Sequence, residues 1–425
     1  MKQQPRRYQT QLAVIGSGLA GFAASIFALE RGIVTAQVGS TGAVAYTSGF
    51  LDLLGGGAGG LIKDPWRALE RLRSEEPQHP LARIGDDDIR AAFSQFTEAI
   101  SESGVGYTAP ADRNLFAISP AGTLKPTCSV PRTMYPGIRA MQERSATLIV
   151  DFTGLKGFSA VEIVANLKPR WPGLSAARLE FPEMEGNTQL YPEVMARALE
   201  VPLHREQLAA RISAVLGDAE AVGLPAIMGV HAPDRVHAHL QELVGVPLFE
   251  IPTIPPAVPG IRLREMFEQV FPARGLTLVS QQKVQRVEFG KTGATLYLQD
   301  SYGDVQIATQ TTLLASGRFL SGGLAAQRSG VHETLLGIPV SQPASREAWY
   351  RTHYFDPRGH PVNRAGIEVD DQFRPLDANG DPVDRRLYAA GSLLAHQDWT
   401  RQRCGAGVAI ASAYKAVEAA ARHIR

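Results

Sequence analysis

Apolar residues Leu12 to Ile15 form a short run that stops at Gly16, which predicts a buried strand ending in a tight turn. The run "FAASIFALERG" that follows has helical character, and the apolar stretch before Gln37 reads as a second strand, so residues 10–39 predict strand, helix, strand. Asp64-Pro65 opens "DPWRALERLRSEE", where apolar positions recur at helical spacing, and residues 64–104 are expected to be helical. "TLIVDFTGLKGFSAVEIVANLK" (147–168) predicts a buried strand, a turn and a helix. "VGLPAIMGV", a helix over 232–243 and "PLFEIP" repeat that order. Downstream, "LTLVSQQKVQRVEF", "ATLYLQDS" and "DVQIATQTTLLASG" predict successive strands of a small sheet. "RLYAAGSLL" (386–394) is one more short buried strand, broken at Gly391, and "GAGVAIASAYKAVEAAARHI" is a long closing helix.

Turn-rich stretches divide this pattern. "LGGGAGG" (54–60) is expected as a loop without packing residues, and "PTIPPAVPGIRL" (252–263) as a connector leading out of an inserted region. The fold class is therefore α/β, a Rossmann-like, glutathione-reductase-like dinucleotide-binding domain with a large inserted α/β region. Residues 1–60 and 256–425 are assigned to the first and 61–255 to the second.

Composition narrows the function only by exclusion. The 425 residues are 44% hydrophobic and 20% charged, with a formal net charge of +1, so no broad attraction to nucleic acid is implied. The two cysteines, Cys128 and Cys404, stand far apart and are expected to be reduced core residues; one chain with two cysteines cannot hold a four-thiolate iron–sulfur cluster. Basic "KQQPRR" before the first apolar run is similar to a secretory signal, but the glycines that follow fall where a strand–turn–helix needs them. No run of membrane-spanning length appears elsewhere, so no direct membrane span is expected. His231, His237 and His239 lie around one predicted helix without a carboxylate-rich ligand set, and no metal is expected.

The chemistry lies in the glycines. Gly16, Gly18 and Gly21, spaced G-x-G-x-x-G with Ser17, Leu19 and Ala20 between them, sit where a strand turns into a helix. There the first allows a tight turn, the second lets backbone approach a phosphate, and the third lets the helix pack on the sheet. Two further strands end at glycine: "LLASG" at Gly317, and "LYAAG" at Gly391 before Ser392. The last helix opens with Gly405 and Gly407, its positive pole suited to the anionic edge of a reduced flavin. A nicotinamide enzyme needs only the first site, so the three together point to a flavin. Thr47, Ser48 and Gly49 follow the second strand and are expected against the pyrophosphate or ring, with Asp52 as a cap or turn residue.

One element of the fingerprint is missing. The second strand runs Gln37, Val38, Gly39, Ser40, without the acid that grips an adenosine ribose.

"VIGSGLAG", "TSGFLDLL", "IPTIPPAVPGIRL", "LASGRFLSGGL" and "GAGVAIASA" span nearly the whole chain in order. In them the sequence resembles the B-subunit family of anaerobic glycerol-3-phosphate dehydrogenase. The resemblance implies a flavin-bearing subunit, with FMN as the usual cofactor and FAD as the alternative. It implies a flavin-bearing A subunit and a membrane-associated iron–sulfur C subunit as partners. It implies oxidation of glycerol 3-phosphate to dihydroxyacetone phosphate, with electrons passed to quinone, at the cytoplasmic face of the membrane. FMN also accounts for the missing acid: it has no adenosine ribose, and the lost grip is worth about 1.5–3 kcal/mol as a charged hydrogen bond. The alternative function is a stand-alone flavin-dependent dehydrogenase or oxidase of fumarate reductase-like type.

A catalytic base and phosphate clamp are less well marked. His396, Arg401 and Arg403 precede the last helix, and Arg318 follows the strand that ends at Gly317. His396 is the candidate base, and Arg401, Arg403 and Arg318 are candidate phosphate ligands. With these weak candidates, the chain is expected to relay electrons while the A subunit oxidises the substrate.

Overall fold

The computed structural model describes residues 5–40, 43–57 and 59–424. The chain forms two compact units, one of Met1–Ala43, Asp52–Phe96 and Glu268–Arg425, the other of Val44–Leu51 and Thr97–Phe267. These boundaries differ from those expected at 60/61 and 255/256. The helical stretch after residue 64 belongs to the first unit as far as Phe96, and there Lys415 pairs with Asp88 at 2.7 Å. The proline connector ends sooner than expected, because Val258–Val270 is a helix.

The first unit is built on a seven-stranded sheet. Thr277–Ser280, Thr35–Gly39, Arg6–Ile15 and Gly303–Leu314 lie side by side and parallel, and Leu387–Ala389 joins the carboxyl half of Gly303–Leu314, also parallel. Its other half continues antiparallel into Ala294–Asp300 and then Arg286–Phe289. Register aligns the parallel strand ends: Ile15 opposes Val38 and Leu314, and Leu314 opposes Ala389. The glycine breaks read from the sequence therefore all fall on one sheet edge, the carboxyl edge where open α/β sheets bind ligands.

Helix Leu19–Glu30 is buried on nearly all sides. It packs against the closing helix Gly405–Ile424, where the Phe27 and Tyr414 rings meet edge to face at 5.3 Å and Arg31 bonds Glu418 at 2.7 Å. "LGGGAGG" is not a plain loop: Gly56–Gly57 pairs with Gly60–Leu61, and Leu54 is buried. Ala58 and residues 1–4 of the basic terminus lie outside the described residues.

The second unit holds a four-stranded parallel sheet, in the order Leu248–Ile251, Ala221–Pro225, Thr147–Phe152, Leu174–Leu179. Helices Ala160–Leu167 and Pro233–Val244 follow their strands as the sequence repeat predicts. A buried ion pair fastens the helix Val258–Val270 to this sheet: Arg262 gives two 2.7 Å hydrogen bonds to Glu250, which also accepts from Thr133 and the Met228 amide. With every carboxylate oxygen satisfied, burial is tolerated and the Glu250 carboxyl titrates below its usual range, against the opposing pull of desolvation.

Candidate functional site

The turn after the first strand is built for close approach of backbone to backbone. Gly16 has φ +129°, and a Cβ there would lie 2.1 Å from the Ala315 carbonyl oxygen. A Cβ on Gly21 would lie 2.1 Å from the Gly16 carbonyl oxygen. Gly18 is different: among the described residues, its own chain neighbours aside, no heavy atom lies within 4 Å of where its Cβ would stand. The backbone here borders open space at the start of a 12-residue helix with no side-chain cap and no acid in its first turn. Uncapped amides and a positive helix end suit a phosphate.

Gln37 braces this turn from beneath. Fully buried, it donates to the Gly16 carbonyl at 2.8 Å and accepts from Ser25 at 2.9 Å. Gly39 ends the same strand, and its Cβ would fall 2.4 Å from the Ser17 Cβ and 2.6 Å from the Ser17 amide. Any side chain at Gly39, a ribose-gripping carboxylate included, would collide with Ser17 of the phosphate turn. The missing acid is thus a packing feature.

The other strand ends close on the same edge. Gly391 (φ +82°) sits so near the first helix that its Cβ would be 2.6 Å from the Ala20 Cβ, and its amide donates to Ser412 at 2.8 Å. Gly317 (φ +71°) has Ser321 Oγ 2.2 Å and Ser392 Oγ 3.8 Å from its Cβ position. Between Ala315 and Gly317, the Ser316 hydroxyl is buried without a hydrogen-bond partner. The hydroxyl lies 2.6 Å from the Cβ position of Gly323, while the Ser316 amide nitrogen lies 3.2 Å from that of Gly16. The open space at Gly18 and the uncapped helix start fit a phosphate-bearing cofactor. Gly16, Ser17, Gly18, Leu19 and Gly317 would hold it.

The closing helix is arranged differently from the expectation. A Cβ on Gly407 would lie 2.6 Å from the Leu53 carbonyl oxygen, and one on Gly405 would lie 3.2 Å from the Trp399 ring. The Ala406 amide donates to Asp52 Oδ1 at 3.3 Å and the Gly407 amide to the Asp52 carbonyl at 2.7 Å. Asp52 therefore caps a helix some 350 residues away, and its carboxylate meets the positive pole.

Thr47, Ser48 and Gly49 belong to the second unit. Within it, Thr47 Oγ1 accepts the Gly49 amide at 3.2 Å, and the Gly49 carbonyl accepts from the buried Tyr107 hydroxyl at 2.7 Å. Burial pushes the Tyr107 hydroxyl well up from its usual range, so it stays a donor.

The candidate acid–base residues gather around Asp398, which sequence reasoning passed over although it opens "DWTR". Asp398 caps the turn Trp399–Gln402 through the Arg401 amide (3.3 Å). Its other oxygen takes a hydrogen bond from Asn363 Nδ2 (3.2 Å) and lies 3.9 Å from Arg401 Nε. Arg318 donates to the Asn363 and Val362 carbonyls at 2.5 and 3.1 Å. Burial pulls Arg318 down to about 10, and the Asp398 carboxylate acts against that pull. His396 sits at φ +66°, a conformation costly for a side chain with Cβ. Its amide donates to the Arg364 carbonyl at 2.9 Å, and its Nε2 lies 2.5 Å from Glu368 Oε1. That hydrogen bond holds the Glu368 carboxyl below its usual range. Glu368 is far from His396 in sequence, and no local signal announces it. Arg403, at φ +49°, ends the 399–402 turn, and its carbonyl accepts the Gly55 amide. His231, His237 and His239 do not converge: His237 bonds the Leu248 carbonyl, His239 accepts from Arg205, and His231 faces Glu265 at 3.8 Å.

A parallel sheet with a phosphate turn and two more glycine strand ends on its carboxyl edge defines a dinucleotide-type cofactor domain of the flavoprotein class. The chain belongs to the family described as the FAD binding domain, whose model matches residues 11–408. It is similar to a protein of Halobacterium salinarum named as the probable B subunit of anaerobic glycerol-3-phosphate dehydrogenase, with 29% identity over 98% of this chain and 99% of the relative. It is likewise 29% identical to the anaerobic glycerol-3-phosphate dehydrogenase B subunit of Vibrio cholerae, over 96% of this chain and 95% of that one. Among solved structures it is similar to a 3-ketosteroid delta1-dehydrogenase of Sterolibacterium denitrificans, at 11% identity over 97% of this chain and all of that one, with a TM-score of 0.44. No helix among the described residues is long and apolar enough to cross a membrane.

Proposed function

We propose that this chain is the flavin-bearing B subunit of an anaerobic glycerol-3-phosphate dehydrogenase and that its flavin relays electrons. The observation that carries the reading is the intact phosphate turn, open at Gly18, in a chain that matches B-subunit relatives from end to end. A bound flavin supplies an acceptor that takes two electrons from one donor and passes them on singly. The residues around Asp398 favour relay over substrate oxidation here. His396 already holds Glu368, and Arg318 is committed to two backbone carbonyls. Neither a free base nor a free phosphate clamp stands among them. The family's A subunit then carries the substrate site, and an iron–sulfur C subunit carries electrons toward quinone.

FMN is the proposed cofactor, on the ground that Gly39 leaves no room for a ribose hook; the description of the family model favours FAD. The flavin is proposed to be non-covalent, because the loop at Thr47–Gly49 offers hydroxyls and no His or Cys. The test is acid precipitation of the purified chain followed by chromatography of the supernatant. Released FMN in stoichiometric amount is expected. Stoichiometric FAD would show that another group holds the ribose, and colour left in the pellet would show a covalent link.

A further inference from the structure

Two loops of the first unit meet at the carboxyl edge of its sheet, and a lysine stands where they meet. Residues 281–284 leave the end of the strand Thr277–Ser280, and residues 315–323 leave the end of Gly303–Leu314. Thr35–Gly39 and Arg6–Ile15 lie between those two strands, so the loops start about 14 Å apart, three strand spacings. Yet Lys283 Nζ lies 3.8 Å from the Cβ position of Gly322. Each loop is seated on the phosphate turn. The Gln282 amide donates to the Gly39 carbonyl at 3.3 Å, and Gly39 abuts Ser17. On the other side, a Cβ on Gly323 would lie 2.2 Å from the Gly317 carbonyl oxygen and 2.7 Å from that of Ser316, the residue whose amide nitrogen packs on Gly16. The Lys283 ammonium is therefore carried between a loop anchored at Ser17 and a loop anchored at Gly16.

This ammonium has no counter-ion of its own. It is exposed, and among the described residues it makes no hydrogen bond or ion pair. Segments 15–21, 35–40, 280–284 and 315–324, which surround it along the sheet edge, contain no Asp or Glu. Arg318, the other cation in them, is bound to the Val362 and Asn363 carbonyls. Magnitudes say why a cation is needed. A phosphomonoester carries a charge of about −1.5 to −2 at pH 7, and a helix N-terminus offers the equivalent of about half a positive charge. Amides and helix end alone leave roughly one to one and a half negative charges uncompensated, and one lysine offsets most of that.

We propose that Lys283 is a cofactor-binding residue, the cation that pairs with the phosphate of a flavin nucleotide at the Gly16–Gly18 turn. The assignment rests on the reading of that turn as the flavin phosphate site. It also gives the missing acid a second consequence. An acid at the end of Thr35–Gly39, the strand end that Gln282 touches, would compete with the phosphate for this ammonium. Without it the lysine is left to the ligand.

The test is titration of FMN, FAD and riboflavin into the deflavinated full chain, read as quenching of flavin fluorescence. Lys283→Gln should weaken binding of the preferred nucleotide about tenfold, as expected for loss of a charge-assisted contact. It should keep the wild-type denaturation midpoint and leave riboflavin, which has no phosphate, unaffected. Raising salt should weaken nucleotide binding less for this variant than for the wild type. Lys283→Arg should restore most of the affinity. Lys291→Gln, which removes an exposed lysine between the strands Arg286–Phe289 and Ala294–Asp300, should change nothing. Equal nucleotide affinity in Lys283→Gln and wild type overturns the assignment and leaves the flavin reading standing. An equal loss for riboflavin also overturns it, by placing the lysine at the ring. A wild-type chain that takes up neither nucleotide fails the flavin reading itself, and the assignment falls with it.

Discussion

Gly18 lies in the phosphate turn and Gly39 packs against it from the end of the neighbouring strand, and the two respond oppositely to a side chain. At Gly39 the nearest atoms to an added Cβ are Ser17 Cβ at 2.4 Å, its Oγ at 2.5 Å and its amide nitrogen at 2.6 Å, so a substituent must push the phosphate turn aside. Restoring the missing acid with Gly39→Asp should therefore not convert the site to a ribose-gripping one. The expected outcome is loss of bound flavin, read as the flavin-to-protein absorbance ratio after desalting; a folded, FAD-loaded variant would refute the packing argument. A Cβ at Gly18 meets no atom of the described residues beyond its chain neighbours within 4 Å, and the backbone there sits at φ −85°, so Gly18→Val is sterically allowed. It should unfold at the wild-type denaturant midpoint and yet lose flavin by about tenfold or more, because its side chain fills the space a phosphate would use. Gln37 is a third kind of residue. Its Nε2–H holds the half-buried Gly16 carbonyl and its Oε1 takes the buried Ser25 hydroxyl. Gln37→Leu takes this partner from both and leaves the buried Ser25 hydroxyl without it, a cost of about 1–3 kcal/mol for such a group. The denaturation midpoint should fall accordingly, and an unchanged midpoint would mean that water reaches the site.

At the scale of elements, periodicity and glycine punctuation made most of the first unit legible. The strand-turn-helix at residues 12–32, the strand ends at Gly317 and Gly391 and the closing helix all stand where the pattern puts them. What stayed hidden depends on contacts distant in sequence. Nothing near Asp52 says that it caps a helix beginning at Gly405, and nothing near Glu368 says that it holds His396. The proline-rich connector misled because prolines and glycine at 255–260 punctuate strongly, whereas Pro259 sits in the first turn of a helix, where its missing amide costs nothing. His79 is another hidden joint. It is fully buried, its Nδ1 accepts the Leu81 amide at 3.1 Å, and its Nε2 faces Gln402 Oε1 at 3.2 Å. Gln402 Oε1 also takes the Asp398 amide, so His79 helps place the loop of candidate residues. Burial brings His79 down from 6.5 to about 4, partly offset by Glu76. The folded state thus refuses a proton that the unfolded state accepts. Its contribution is complete above pH 6.5 and erodes as pH falls from 6.5 toward 4, by about 3 kcal/mol in all. Guanidinium midpoints should drop more steeply between pH 7 and pH 5 for the wild type than for His79→Gln. Parallel slopes would mean that His79 is protonated in the fold.

For the whole molecule, the decisive question is whether it turns over substrate alone. Electrons that reach a flavin on the carboxyl edge must leave it. The chain has only two cysteines, Cys128 and Cys404, both buried and not joined as a disulfide, so it offers no thiolate cluster to receive them. Substrate oxidation would also need a base and an anion clamp, yet His396 is bound to Glu368, Arg318 to backbone carbonyls, and Arg401 faces Asp398. Dye reduction by the purified, flavin-loaded chain with glycerol 3-phosphate should therefore be at most a hundredth of the rate of the assembled complex, about 3 kcal/mol in barrier terms. Adding the A subunit should restore it, whereas adding the C subunit alone should not. Turnover by the chain alone near the rate of the complex would move the substrate site here. In that event His396→Asn and Glu368→Gln separate the roles: loss with both, and an altered pH profile with the second, would make His396 the base and Glu368 the group that orients it. Unchanged turnover in both would return the pair to a purely structural role even though the site is here.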